Sequence, residues 1–132
     1  MKPQPAQTHR ILIVEDVQET REAIEVLLRR DGYLITQARD EDEAVEKIFG
    51  RAPDLILISL GGPPDRVLGA ARRIRERGNL SDRTPVVIFS IPILPEGVTE
   101  EIAANIFVIV PDNFNQLRKL LRRILSSDAP TR

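Results

Sequence analysis

Glu15 and Asp16 follow the apolar run Ile11 to Val14, Ser59 follows Leu55 to Ile58, and Ser90 follows Val86 to Phe89. Adjacent carboxylates can share a cation or simply be solvated. A serine hydroxyl is a weak nucleophile and needs a general base to react, and nothing in the sequence is placed to supply one. The chemistry open to these four residues therefore depends on whether the chain brings them together.

The elements that would do so are legible as hydrophobic periodicity. Ile11 to Val14, Leu55 to Ile58, Val86 to Phe89 and Ile106 to Val110 are wholly apolar and rich in β-branched residues, as suits strands covered on both faces. Leu34 to Ala38 carries Thr36 and Gln37 and reads as an edge strand. Between the runs, apolar residues recur at helical spacing: Ile24, Leu27 and Leu28; Ala44, Val45, Ile48 and Phe49; Val67, Ala71 and Ile74; Phe114, Leu117, Leu121 and Ile124. Asp16 with Glu19 reads as a capping box for the first helix, Gly32 as its stop, and Asp112 or Asn113 as the cap of the last. A short fourth helix is expected near Thr99 to Ala104, after the loop bearing Pro92, Pro95 and Gly97.

Strand and helix alternating five times call for an α/β fold: a doubly wound parallel sheet of five strands in the flavodoxin-like order 2-1-3-4-5, with five helices. Ligands gather beyond the carboxyl ends of such strands, near the switch in strand order. Glu15, Asp16, Ser59 and Ser90 would converge there, with Val110 and Pro111 ending the fifth strand.

Composition narrows the classes further. The chain has 132 residues, 42% of them hydrophobic, with no cysteine and no tryptophan. Thiol catalysis, zinc fingers and disulfide scaffolds are excluded. Its 19 basic and 20 acidic residues nearly cancel and are mixed, so nucleic-acid binding through bulk charge is not expected. No apolar run is long enough to cross a bilayer, and Met1 to Arg10 is polar, so no membrane association and a cytoplasmic location are expected. One domain is expected over residues 10–126, with tails at 1–9 and 127–132.

From Ile11 to about Leu125 the chain resembles the receiver domain of bacterial two-component response regulators. ILIVEDVQETREAIEVLL is similar to the family's first strand, acidic pair and first helix, and PDLILISLGGPP to the strand and loop around its phosphoacceptor. TPVVIFS resembles its fourth strand, ending in Ser90, and IFVIVP its fifth, with Phe107 at the place of the switch aromatic. The resemblance implies that Glu15 and Asp16 are a residual Mg²⁺ pocket. It also exposes two departures. Where the family carries an aspartate that accepts a phosphoryl group from a histidine kinase, this chain has Ser59; where it carries a lysine before Pro111, this chain has Val110.

These departures remove the family's reaction on physical grounds. A carboxylate attacks phosphohistidine without a base, whereas a serine does not. Mg²⁺ prefers hard anionic oxygens, so exchanging Asp for Ser takes a full charge from its site, and only weak Mg²⁺ affinity at Glu15 and Asp16 is expected. Val110 removes the cation that would steady phosphoryl charge. A lysine without its carboxylate would be a poorly paired, partly buried charge, so the two losses make sense as a pair.

Plainer roles stand beside each of these. Asp16 can be only a helix cap, Glu15 a solvated carboxylate, Ser59 a polar filler, Ser90 a backbone-bonded hydroxyl, Phe107 a core residue and His9 a surface residue. Gly61, Gly62, Pro63 and Pro64 read as a stiff turn rather than a phosphate loop. Residues 91–97, with Ile91, Ile93 and Leu94 on a proline-stiffened backbone, read as either a lid or a docking loop. The expectation is a degenerate, stand-alone receiver-like signalling domain, not an enzyme, that binds a protein such as a histidine kinase, or a second copy of itself. The resemblance places that face on the fourth helix, fifth strand and fifth helix, around Thr99 to Ile124. The alternatives are phosphorylation at a non-standard residue, Ser59 or a carboxylate such as Asp65, and a small-ligand sensor using the vacated crevice.

Overall fold

The structure is a computed structural model and describes residues 8–89, 94–110 and 113–126. The apolar runs form β1 (Arg10–Glu15), β2 (Leu34–Ala38), β3 (Leu55–Ser59) and β4 (Val86–Phe89), with α1 (Gln18–Arg30), α2 (Glu41–Gly50) and α3 (Pro64–Arg77) between them. Then come β5 (Thr99–Ala103), β6 (Ile106–Ile109) and α4 (Phe114–Ser126). The sheet runs β2-β1-β3-β4-β6-β5. Its first five strands are parallel, in the order expected for the flavodoxin-like fold, while β5 pairs antiparallel to β6 on the outer edge.

Successive side chains of a strand point to opposite faces, and both faces here are apolar. Leu12, Val14, Ile56, Ile58, Val86, Ile88, Ile106 and Val108 pack against Ala44 and Ile48 of α2 and Val67, Ala71 and Ile74 of α3. Ile11, Ile13, Leu55, Leu57, Val87 and Ile109 pack against Ile24 and Leu28 of α1 and Leu117, Leu120, Leu121 and Leu125 of α4. This two-sided burial is why the central runs contain no polar residue. Phe49, read as part of the α2 stripe, instead stands 67% exposed, beyond the reach of the sheet.

The expected fourth helix is not formed: Thr99–Ala103 is a strand, so the described residues hold six strands and four helices rather than five of each. A helix there would be under two turns long, with Ile102 as its only large apolar side chain, and so short a helix is marginal. The alternative was an unpaired edge on β6. Ala104 and Asn105 close the hairpin, with Asn105 in the left-handed region at φ 60°, which asparagine tolerates better than most residues.

Two further expectations change at the helix ends. Asp16 does not open a capping box with Glu19; Val17 is the N-cap and its side chain makes no capping bond. The free N–H of Val17 is met instead by the carboxylate of Glu15, at 3.0 Å. Gly32 does end α1, at φ 97°, with Gly32 N–H donating to Arg29 O and Tyr33 N–H to Leu28 O, the two bonds of a Schellman motif. Asn113 caps α4 by accepting from Gln116 N–H at 3.2 Å, while Asp112 lies outside the described residues.

Candidate functional site

β1 and β3 are parallel neighbours whose register sets Glu15 opposite Ser59 at their carboxyl ends. Both residues are buried, at 4% and 8% exposure. The Glu15 carboxylate accepts from Val17 N–H and from the Ser59 hydroxyl, with the Asp16 carboxylate beside it. Burial is the largest influence on this group and pushes its pKa above the ordinary glutamate value; Asp16 adds to the rise, while the Val17 and Ser59 bonds oppose it. Glu15 is therefore not the solvated carboxylate that its position at a strand end suggested. It is the potential base near Ser59 that the sequence did not reveal.

Asp16 is exposed and reaches over the β3–α3 loop, its Oδ2 lying 3.9 Å from where a Cβ on Gly61 would sit. That loop turns at Gly62, φ 116°, and feeds α3 through Pro63 and Pro64, the stiff turn read from sequence. Asp65, in the first turn of α3, is exposed. Of the expected site residues, then, Glu15, Asp16 and Ser59 come together. Ser90, Pro111 and the first residues of the expected lid, Ile91 to Ile93, lie outside the described residues. Leu94, from the same loop, turns inward and packs on the α2–α3 side of the core.

Val110 continues β6 beyond Ile109. Its N–H donates to Val98 O at 3.2 Å and its carbonyl accepts from Gly97 N–H at 2.5 Å, so its backbone is tied to the chain leading into β5. Its side chain brings no charge to the rim. Phe107 is half-buried and packs on the α1–α4 side of the core.

A cation does approach the rim from elsewhere. Arg21 of α1 donates from Nη1 to the backbone oxygen of Glu15 at 2.8 Å and from Nε to Gln37 Oε1 at 2.7 Å. Gln37 in turn donates to Glu25, which also accepts from Arg29. Burial would raise the Glu25 pKa, but these two donors hold it below its ordinary value. Arg21 is thus engaged between β1 and β2, and its position was not legible because nothing in the sequence marks which residues β2 sets beside α1.

As a metal site the donor set fits Mg²⁺ poorly. Glu15 already accepts from Val17 and Ser59, Ser59 contributes no charge, and only Asp16 is exposed. Among the described residues no group of three or more acidic, histidine or cysteine side chains is arranged to hold a metal ion. Also among these residues, no helix is long and apolar enough to cross a membrane.

The response regulator receiver domain family matches residues 11–125. Over 120 residues the chain is 32% identical to the sensor histidine kinase AruS of Pseudomonas aeruginosa, covering 89% of this chain and 12% of the kinase. Over 122 residues it is 29% identical to the phosphate regulon transcriptional regulatory protein PhoB of the same species, covering 91% of this chain and 53% of the regulator. The chain spans between 12% and 53% of the length of such curated relatives. Among solved structures, the signal receiver domain of a signal transduction histidine kinase from Syntrophus aciditrophicus superposes with a TM-score of 0.73 at 22% identity, covering 95% of this chain and 96% of that one. The chemotaxis protein CheY4 of Vibrio cholerae gives 0.65 at 20% identity, covering 89% and 99%. These likenesses agree with the parallel five-strand core. The chain belongs to the response regulator receiver domain family.

Proposed function

We propose that this receiver domain signals by binding another protein without being phosphorylated on an aspartate. The observation that carries the reading is Ser59, a buried hydroxyl that donates to Glu15 at the end of β3, where the family carries its phosphoacceptor aspartate. Val110 supports it, being an aliphatic side chain at the family's lysine position. The family's carboxylate nucleophile and its lysine are both replaced, which takes away the groups that accept a phosphoryl group from phosphohistidine and hold its charge. The chain is then a binding module rather than an enzyme, and a signalling protein such as a histidine kinase is the partner class that the family suggests. The face proposed for it consists of β5, β6 and α4.

Incubation with Mg²⁺ and a small acyl phosphate, followed by intact-mass measurement, tests the reading. No added phosphate is expected. A second reading, phosphorylation of Ser59, draws on the Glu15 carboxylate at its hydroxyl. Stoichiometric, acid-stable phosphate on Ser59 would establish it and overturn the first. The ligand-sensor alternative is checked by thermal-shift measurement with nucleotides and phosphorylated metabolites, where no class is expected to raise the unfolding temperature.

A further inference from the structure

The strand that replaces the expected fourth helix leaves the sheet with an open edge. Among the described residues nothing pairs with the outer side of β5. Val110 N–H donates to Val98 O, and Glu100 stands opposite Val108 in the antiparallel register. Because bonded and non-bonded pairs alternate in such a ladder, Val98 and Glu100 face β6, while Thr99 and Glu101 direct their N–H and C=O groups outward. A row of free backbone groups of this kind is a template for another strand.

The charges on either side of that edge are specific. Glu100, opposite Val108, is exposed on the face covered elsewhere by α2 and α3, and pairs with no described cation. On the other face, Thr99, Ile109, Lys119, Leu120 and Arg123 line a shallow hollow of about 180 Å³ between β5 and α4. Lys119 and Arg123 likewise pair with no described carboxylate. Glu101 is different, since its carboxylate folds back to accept from Asn105 N–H at 2.9 Å and supports the hairpin turn.

A second copy is a poor occupant. In the antiparallel register that bonds Thr99 to Glu101 of another copy, Glu100 lies directly opposite Glu100. Moving the axis one residue toward the hairpin turn sets Glu101 opposite Glu101, and like charges so placed are destabilising; moving it the other way sets Thr99 opposite Thr99 and Glu101 against Gly97, which lies before the strand at φ 86° and is not extended. The acidic pair thus guards the edge against self-association while leaving its backbone open to a strand of complementary charge.

We propose that the outer edge of β5 is a strand-addition site for an extended segment of another protein, with basic side chains toward Glu100 and acidic ones toward Lys119 and Arg123. Side chains of a strand alternate between faces, so one segment with alternating charge meets both requirements. The proposal rests on the protein-binding reading above and specifies its mode.

The probe is a capped peptide of roughly seven residues alternating lysine with glutamate, titrated to about 1 mM into the isotope-labelled full chain and followed by NMR and amide exchange. Saturable shifts confined to β5, Lys119 and Arg123 are expected, with exchange at Thr99 and Glu101 slowed about tenfold and Glu100 protected throughout. Binding should be lost when the peptide's bonding amides are N-methylated, and weakened by Glu100→Lys or Glu101→Pro. The N-methylated control leaves the protein unaltered, so a variant that fails to fold does not decide the matter. Three results would overturn the proposal: no shifts at the highest concentration, shifts elsewhere, or Thr99 and Glu101 amides already protected in the free chain. Failure here, with the chain still inert to acyl phosphate, removes strand addition and leaves the phosphorylation-independent reading standing.

Discussion

The hydroxyl of Ser59 donates to the carboxylate of Glu15 across the β1–β3 register, and both groups are buried. A buried carboxylate that is harder to ionise than in the unfolded chain makes folding pH-dependent. Its folded pKa lies above the unfolded value of 4.5, so the folded state holds its proton more tightly. The contribution of Glu15 is fully present below about pH 4.5 and is lost as pH rises through the folded pKa. Glu15→Gln, which keeps an acceptor for Val17 N–H, is therefore expected to stabilise the protein at pH 7 relative to the native chain, with the gain closing at pH 4. Urea midpoints at the two pH values check this; an equal loss at both would show that burial of the charge is not what matters.

Restoring the family's pair tests whether the crevice has kept its shape. Ser59→Asp with Val110→Lys is expected to recover Mg²⁺ binding and incorporation of phosphate from a small acyl phosphate. Val110→Lys alone is expected only to destabilise, since it sets a cation at the rim without a new carboxylate. Intact mass and Mg²⁺ titration read the outcome, and a double variant that responds to neither would mean that the rim geometry has diverged as well as its residues.

Asp31, just beyond α1, accepts from two guanidinium nitrogens of Arg118 in α4, across 87 positions of sequence. These bonds hold the Asp31 pKa below its ordinary value of 3.8, so the stability they contribute is present at neutral pH and lost as pH falls through the lowered value. Arg118→Met is expected to move the acid-unfolding midpoint to higher pH. Asp31→Asn should do the same, and the double variant should be little worse than either single one. Fully additive losses would show that the two side chains act independently.

Close approach of α2 and α3 depends on Gly78. A Cβ there would come within 2.9 Å of both Ile48 Cδ1 and the Ile74 carbonyl oxygen, one of them backbone. Gly78→Ala is expected to cost about 1–3 kcal/mol. Gly50→Ala, where a Cβ would meet nothing within 4 Å, is the control and should be near neutral. Equal urea midpoints for the two variants would contradict the packing.

The chain's local chemistry is enough to place most of the fold and part of the site. The apolar runs at Ile11, Leu55, Val86 and Ile106 could only be strands buried on both faces, because any polar residue there would lose water without a partner. Their alternation with amphipathic segments dictated parallel order and put Glu15, Asp16 and Ser59 at one rim. The segment Thr99 to Ala104 reads as a short helix by spacing but forms a strand over Thr99–Ala103, because its few apolar residues fit either period and the deciding term was the open edge of β6, a strand that comes later in the sequence. In the same way the Asp16–Glu19 spacing satisfied a capping pattern, but the burial of Glu15 brought its carboxylate to Val17 first. The bond between Ser59 and Glu15 and the arginine at Asp31 were decided by tertiary structure alone. Each joins groups far apart in the chain, and their energies depend on distance and burial, which a sequence records only once it is folded.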